Sequence, residues 1–420
     1  MDFVDTNYEP GENDLICLFR VEPSENYSFE EAISNVAKES SVGTWTHIGT
    51  VNERAKRIKA RVYELDEPYA KVAYPQELFE LDNIPQVLSS VAGNVFGMKL
   101  LKNLRLEDIQ FPPEMIEKFK GPQVGLEGIR DIFSVQDRPM LGTIVKPKLG
   151  LGPKGHADVA YRAWKGGLDI VKDDENLSSM TFNTFEKRVD ETMRLKEKAE
   201  KETGEKKEYM GNITAPVSEM KKRADYLIGK GSNYVMIDII TIGWSALQEM
   251  REYLEGKDVV IHCHRAGHAA FTRNRKHGVS MLTVAKLTRL IGGDQLHIGT
   301  AGVGKMEGDE EKVLRIEEAV ETKKTTGSEY KLKQDWKNIK KTFAVASGGL
   351  HPGDIPGLVE RMGKDIVAQF GGGCHGHPDG TEAGARAIRQ ACGAVMDGRS
   401  LDEAASGNKE LKRALEKWKG

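Results

Sequence analysis

Eight short apolar runs punctuate the chain from Met140 onward: "MLGTIVKPK", "LDIVKDDE", "YMGNIT", "YVMIDII", "VVIHCHRA", "QLHIGT", "FAVASGG" and "IVAQFGGG". Each closes on polar or glycine-rich residues. Helical patterns such as "ADVAYRAWKGG" and "TEAGARAIRQACGAVMDG" lie between them. Nearly unbroken apolar strands alternating with helices indicate a parallel sheet covered on both faces. Eight such units predict a (β/α)8 barrel, with a doubly wound open sheet as the alternative, because closure leaves no mark in the sequence.

The residues ahead of the barrel read differently. "DLICLFRVEP" is a strand. "SFEEAISNVAKESS" is an amphipathic helix opened by Ser28 and Glu31 in capping-box spacing. "RIKARVYELDE" and "YAKVAYP" alternate like a hairpin, "IPQVLSSVAGN" is helical, and "MKLLKNLRLEDIQFP" returns as a strand. The expected fold class is α/β, with an α+β, ferredoxin-like N-terminal domain over 1–121 and a (β/α)8 TIM barrel over 122–420.

Acids and bases nearly cancel, at 64 against 61. Nothing in that balance selects nucleic acid or an anionic membrane as a partner. The N-terminus has no basic, apolar leader pattern, and no run approaches a membrane span of roughly 20 apolar residues. Cys17, Cys263, Cys374 and Cys392 are scattered and read as free thiols of a reducing, cytoplasmic compartment. The charge runs "LKEKAEKETGEKKEY" and "NKELKRALEKWKG" read as solvated helix faces.

A barrel of this kind carries its chemistry at the C-terminal ends of its strands. Those ends hold Lys146 and Lys148, then Lys172, Asp173, Asp174 and Glu175, then His262, His264, Arg265 and His268. His297 and the Lys305 loop, Ser347-Gly348-Gly349 and Gly371-Gly372-Gly373 complete the set. Lys172 and Asp174 share a strand face, and Glu175 lies where the chain turns. Two carboxylates suit a hard cation such as Mg²⁺. An ammonium beside them does not, unless the neutral amine reacts with CO2 to give an anionic carbamate. A salt-bridge cluster is the other reading. The glycines after the last two strands fit backbone binding of one phosphate. Arg265, His297 and Ser347 fit a second, so a bisphosphate substrate is expected.

Three motifs point elsewhere. Gly299, Gly304 and Lys305 match most of a P-loop, but Met306 stands where Ser or Thr should hold Mg²⁺. His262 and His264 form an H-x-H pair that could bind zinc. "GLGPKG" fits a dinucleotide fingerprint, with Asp169 near the expected acid position.

"KPKLGL", "GGLDIVKDDEN", "HRAGHAA", "GGDQLHIGT", "GKMEG", "ASGG" and "QFGGGCHGHP", with "ESSVGTWT" and "GNVFG" ahead of them, together resemble the large chain of ribulose-1,5-bisphosphate carboxylase/oxygenase (RuBisCO). The versions "GTIVKPK" and "GTAGVGKMEG" resemble the archaeal type III branch, which works without a small subunit. The resemblance implies that Lys172 is carbamylated by an activating CO2 and binds Mg²⁺ with Asp174 and Glu175. It implies carboxylation of ribulose 1,5-bisphosphate through an enediolate to two 3-phosphoglycerates, with O2 as the side substrate. Lys146, supported by Lys148, would protonate late intermediates, and His264 would assist proton transfer. Lys305 would cover the new carboxylate and be held by Glu39. Thr44, Trp45, Gly348, Gly349, Gly371 and Gly372 would take one phosphate, and Arg265, His297 and Ser347 the other. Asn94 would contact the substrate near the metal. Glu39, Thr44, Trp45 and Asn94 would come from a second subunit, making a homodimer or an assembly of dimers. Salvage of nucleotide ribose is the implied setting.

Against the plant-type pattern, Ile144 replaces a threonine, the Lys305 loop is one residue longer, and the C-terminus is shorter. A RuBisCO-like enolase or isomerase acting on a sulfur-containing sugar phosphate is the alternative within the resemblance.

Overall fold

A computed structural model of the chain describes residues 2–43, 49–305 and 309–418. It contains two compact units, and neither is continuous in sequence. One comprises residues 1–121, 267–291 and 322–339; the other comprises 122–266, 292–321 and 340–420.

In the first unit, strands β1 (Asp14–Pro23), β2 (Arg61–Asp66), β3 (Tyr69–Pro75) and β4 (Leu101–Gln110) pair antiparallel in the order β4-β1-β3-β2. The helix Phe29–Glu39 follows β1, and the helix Ile84–Val91 precedes β4. The first helix starts where the capping box places it. Ser28 Oγ accepts from Glu31 N at 3.2 Å, and Glu31 Oε2 accepts from Ser28 N at 2.8 Å. Its buried stripe is Ala32, Ile33, Val36 and Ala37. The two-residue strand Gly278–Val279 then adds parallel to β4 at Arg105 and Leu106, which makes the sheet mixed. Lys286, from the same late segment, buries its amine 2.6 Å from Asp108 Oδ1. Leu332 N donates to the other oxygen of Asp108 at 2.7 Å.

In the second unit the eight apolar runs become eight parallel strands in a closed barrel. In chain order they are Met140–Ile144, Ile170–Lys172, Glu208–Asn212, Tyr234–Asp238, Val260–His264, Gln295–His297, Phe343–Ser347 and Ile366–Phe370. Closure excludes the open sheet. Met140, Ile170, Met210, Val260, Phe343 and Val367 fill the interior, and the helix Gly125–Phe133 packs Leu126, Ile129 and Phe133 against them. That helix is pinned by Asp294, whose Oδ1 accepts from Val124 N and Gly125 N, both at 2.8 Å.

The first charge run is only partly a solvated face. Lys196, Lys207 and Glu208 are buried. Glu208 Oε1 lies 3.7 Å from Lys196 Nζ and 3.5 Å from Lys206 Nζ; burial raises this carboxyl more than the two lysines lower it. No helix among the described residues is long and apolar enough to cross a membrane.

Candidate active site

The end of the second barrel strand places three consecutive acids in two environments. Asp173 turns outward into a closed cage. Its Oδ1 accepts from Tyr209 OH at 2.5 Å and lies 3.0 Å from His156 Nε2. Its Oδ2 accepts from Arg188 Nε at 3.1 Å and Asn212 N at 3.0 Å. Burial raises this carboxyl, but Arg188, His156 and Tyr209 outweigh it and hold the group well below the usual carboxylate range. Fixed in this way, Asp173 locks the backbone between Lys172 and Asp174.

Lys172 turns inward with a side chain 1% exposed. Its Nζ donates to Asp173 O at 2.8 Å, touches Met236 Sδ at 3.4 Å and lies 3.6 Å from Glu175 Oε2. Burial pushes the amine below its ordinary value, against the pull of Glu175, Asp174, Asp173 and Asp238. Asp174 Oδ2 meets Lys146 Nζ at 2.6 Å, and its Oδ1 accepts from Asn176 Nδ2 at 2.9 Å. Although burial raises Asp174, these partners leave it ionised below the ordinary range. A desolvated amine beside two carboxylates is a suitable receiver for CO2, and the resulting oxygen-donor set suits a hard divalent cation.

His264 Nδ1 lies 2.6 Å from Asp238 Oδ1, and its Nε2 lies 3.7 Å from Glu175 Oε2. Ala266 N donates to the same Asp238 oxygen at 3.1 Å, which steadies the pair. His262 is occupied at both nitrogens, by Gln295 Oε1 at 2.8 Å and His297 Nε2 at 2.9 Å. His297 Nδ1 reaches Ser347 Oγ at 2.7 Å. Burial drives His262 and His297 far below the ordinary histidine value, so both are neutral. With both His262 ring nitrogens already bonded, the H-x-H pair is not poised for zinc. No group of three His, Cys, Asp or Glu among the described residues is placed to hold a metal. Asp169, the dinucleotide candidate, is spent on a two-point pair with Arg138, at 2.7 Å from each guanidinium nitrogen.

Arg265 has no hydrogen bond or ion pair among the described residues, and desolvation lowers it to about 10. A desolvated guanidinium without a protein partner is an open anion receiver. A side chain on Gly372 would meet open space, and one on Gly371 would come 3.6 Å from Lys146 Cε, so these glycines leave a clear floor beside Lys146. Lys148 and Lys305 are exposed. The helix after Lys305 begins only at Glu310, which does not form a P-loop cradle. Gly304 and Gly349 both have positive φ, at 81° and 72°. Glu39 ends its helix in the first unit, and Asn94 opens a short 3-10 turn there. Thr44, Trp45 and Met306 lie outside the described residues.

Several supporting residues were missed by sequence reasoning. Asp238 and Gln295 orient histidines from neighbouring strands. His375 joins the two ends of the chain's barrel segment. Its Nε2 lies 2.9 Å from both Ile144 O and Thr143 Oγ1, and its Nδ1 lies 3.0 Å from Thr381 Oγ1. Burial lowers it to about 4, so it is neutral. The only sequence signal was polarity inside or just after an apolar run.

Two family models cover this architecture. The ribulose bisphosphate carboxylase large chain N-terminal domain matches residues 2–115, and the catalytic domain of the same large chain matches 125–418. The chain belongs to the RuBisCO large-chain family. It is an enzyme of the ribulose bisphosphate carboxylase class. It is 52% identical to the ribulose bisphosphate carboxylase of Methanosarcina mazei, with 99% of each chain covered. Among solved structures, the dimeric archaeal RuBisCO of Hyperthermus butylicus superposes with a TM-score of 0.94 at 49% identity, covering 99% of this chain and 98% of that one. The octameric RuBisCO of Pyrococcus horikoshii, in complex with sulfate, gives 0.92 at 50% identity, covering 99% and 96%. The similarity to archaeal RuBisCOs thus runs the full length of the chain.

Proposed function

We propose that this RuBisCO carboxylates ribulose 1,5-bisphosphate with CO2 in a Mg²⁺-dependent reaction, forming two 3-phosphoglycerates, with O2 as a competing substrate. The observation that carries the proposal is the Lys172 amine, buried and disfavoured as a cation, 3.6 Å from Glu175 Oε2. Carbamylated by CO2, Lys172 would hold Mg²⁺ with Asp174 and Glu175. When bound, Mg²⁺ supplies Lewis acidity to the substrate's oxygens and so makes the C3 hydrogen acidic.

The remaining roles belong to side chains of the chain itself. Arg265 receives one phosphate, with His297 and Ser347 beside it. Gly348, Gly349, Gly371 and Gly372 offer backbone N–H groups to the other, together with Thr44 and Trp45. Lys146, supported by Lys148, delivers a proton to the product carbon. Its present bond to Asp174 is the contact that cation binding at Asp174 would release. His264, oriented by Asp238, handles a proton close to Glu175. Lys305 closes over the new carboxylate and excludes water.

Glu39, Thr44, Trp45 and Asn94 complete the site from a second copy of the chain, so the working unit is a homodimer or an assembly of dimers without a small subunit. The dimeric and octameric relatives support that reading. Nucleotide-ribose salvage in the cytoplasm is the proposed setting, supported by the similarity to archaeal enzymes.

The test is incubation with labelled CO2, Mg²⁺ and ribulose bisphosphate. Labelled 3-phosphoglycerate from the wild type, absent with Lys172→Met, is the expected result. Wild-type protein that yields none under activating conditions defeats the proposal, and would favour an enolase or isomerase on the same scaffold.

A further inference from the structure

Four polar side chains from three adjacent barrel strands form one buried chain of hydrogen bonds: Gln295, His262, His297 and Ser347. Gln295 and His262 are fully buried, and His297 is 4% exposed. Each imidazole is neutral, so each carries one N–H and one lone pair. The bonds are therefore not independent.

The amide oxygen of Gln295 can only accept, so His262 must carry its hydrogen on Nδ1. Its Nε2 is then a lone pair, and His297 must donate to it from Nε2. His297 Nδ1 is left as a lone pair, and Ser347 must donate its hydroxyl hydrogen inward. We propose that Gln295 is a positioning residue that sets the polarity of this chain and obliges Ser347 to face the substrate as a hydrogen-bond acceptor. The Gln295 amide nitrogen, 3.5 Å from Tyr234 OH, lies on the far side and leaves the oxygen toward His262. A reversed amide would reverse every bond and free the Ser347 hydroxyl to donate to a phosphate oxygen. Gln295 thus sets Ser347, from beneath the site, to accept from a substrate hydroxyl, and leaves the adjoining phosphate to Arg265. The effect on substrate rests on the proposed function; the polarity itself does not.

The test is nitrogen-15 magnetic resonance of histidine-labelled whole protein, in which bare and protonated ring nitrogens are resolved. The expected result is a single Nδ1–H tautomer for His262 and a single Nε2–H tautomer for His297. The opposite pair overturns the proposal. In Ser347→Ala the His297 tautomer should persist, because it is set from the buried end; a switch overturns the proposal. In Gln295→Met, His297 should show both tautomers, and KM for ribulose bisphosphate should rise about tenfold while kcat changes less than about threefold, as for loss of one hydrogen bond of about 1.4 kcal/mol in binding. Unchanged tautomers in that variant also overturn it. If the variant does not fold, the wild-type and Ser347→Ala measurements decide. Correct tautomers in a protein that does not turn over ribulose bisphosphate would remove the proposed function and leave the hydrogen-bond polarity standing.

Discussion

Lys305 packs its main chain against Gly349. A Cβ on Gly349 would lie 2.8 Å from Lys305 Cβ and 3.2 Å from Lys305 N. The loop that carries the lysine therefore rests on a residue whose missing side chain makes the contact possible. Gly349 also has φ of 72°, which other residues adopt at a cost of about 1 kcal/mol or more.

Gly349→Ala should for that reason displace Lys305 more than it harms the fold. We expect kcat/KM to fall by about a hundredfold, the usual scale of an ångström-sized misplacement of a reacting group. Unfolding stability should drop by only about 1–2 kcal/mol. Steady-state kinetics and urea denaturation on the same preparation separate the two effects.

Lys172→Met keeps the packing of a long side chain and removes the amine. Turnover should fall more than about a thousandfold, as when a member of a concerted catalytic group is lost. Mg²⁺ binding by calorimetry in the presence of CO2 should weaken in parallel. Thermal stability should hold or rise, because a buried amine is costly to the fold. A variant that turns over at the wild-type rate removes the metal-site assignment.

Glu317, on the helix Glu310–Glu321, is raised to about 8 by burial and then by Asp365. Its Oε1 has no hydrogen-bond partner among the described residues. The folded state holds this proton more tightly than the unfolded chain, whose carboxyl titrates near 4.5. Stability attached to Glu317 is thus intact below pH 4.5 and lost as pH rises toward 8. Glu317→Gln should stabilise the protein by on the order of 3 kcal/mol at pH 7, and by almost nothing at pH 4.5. Urea midpoints across that range check the sign.

Lys286→Met should cost about 3–5 kcal/mol, because it leaves Asp108 buried without its 2.6 Å partner. Adding Asp108→Asn should recover part of that loss, which a double-mutant cycle in denaturant would measure.

Much of this was legible in the sequence because it is periodic or local. Unbroken apolar runs such as "YVMID" announced every barrel strand, and the Ser28–Glu31 box fixed a helix start. Lys172, Asp174 and Glu175 could be read as a cluster because they are neighbours in the chain. Gln295 and Asp238 were hidden because their roles depend on bonds between strands. His375 bonds to Ile144, far away in sequence. Lys196 and Glu208 looked solvated, since charge alone does not reveal a partner across the fold. The strand Gly278–Val279 is too short to show any period.

That short strand bears on how the protein is made. A chain leaves the ribosome from its N-terminus, and domains ordinarily fold in the order of their synthesis. Here the strand that borders β4 and the amine that neutralises Asp108 are translated only after five barrel strands. The unit begun first cannot close before most of the barrel has been made: its open β4 edge and its uncompensated acid must wait, during elongation, for residues that arrive more than halfway through translation.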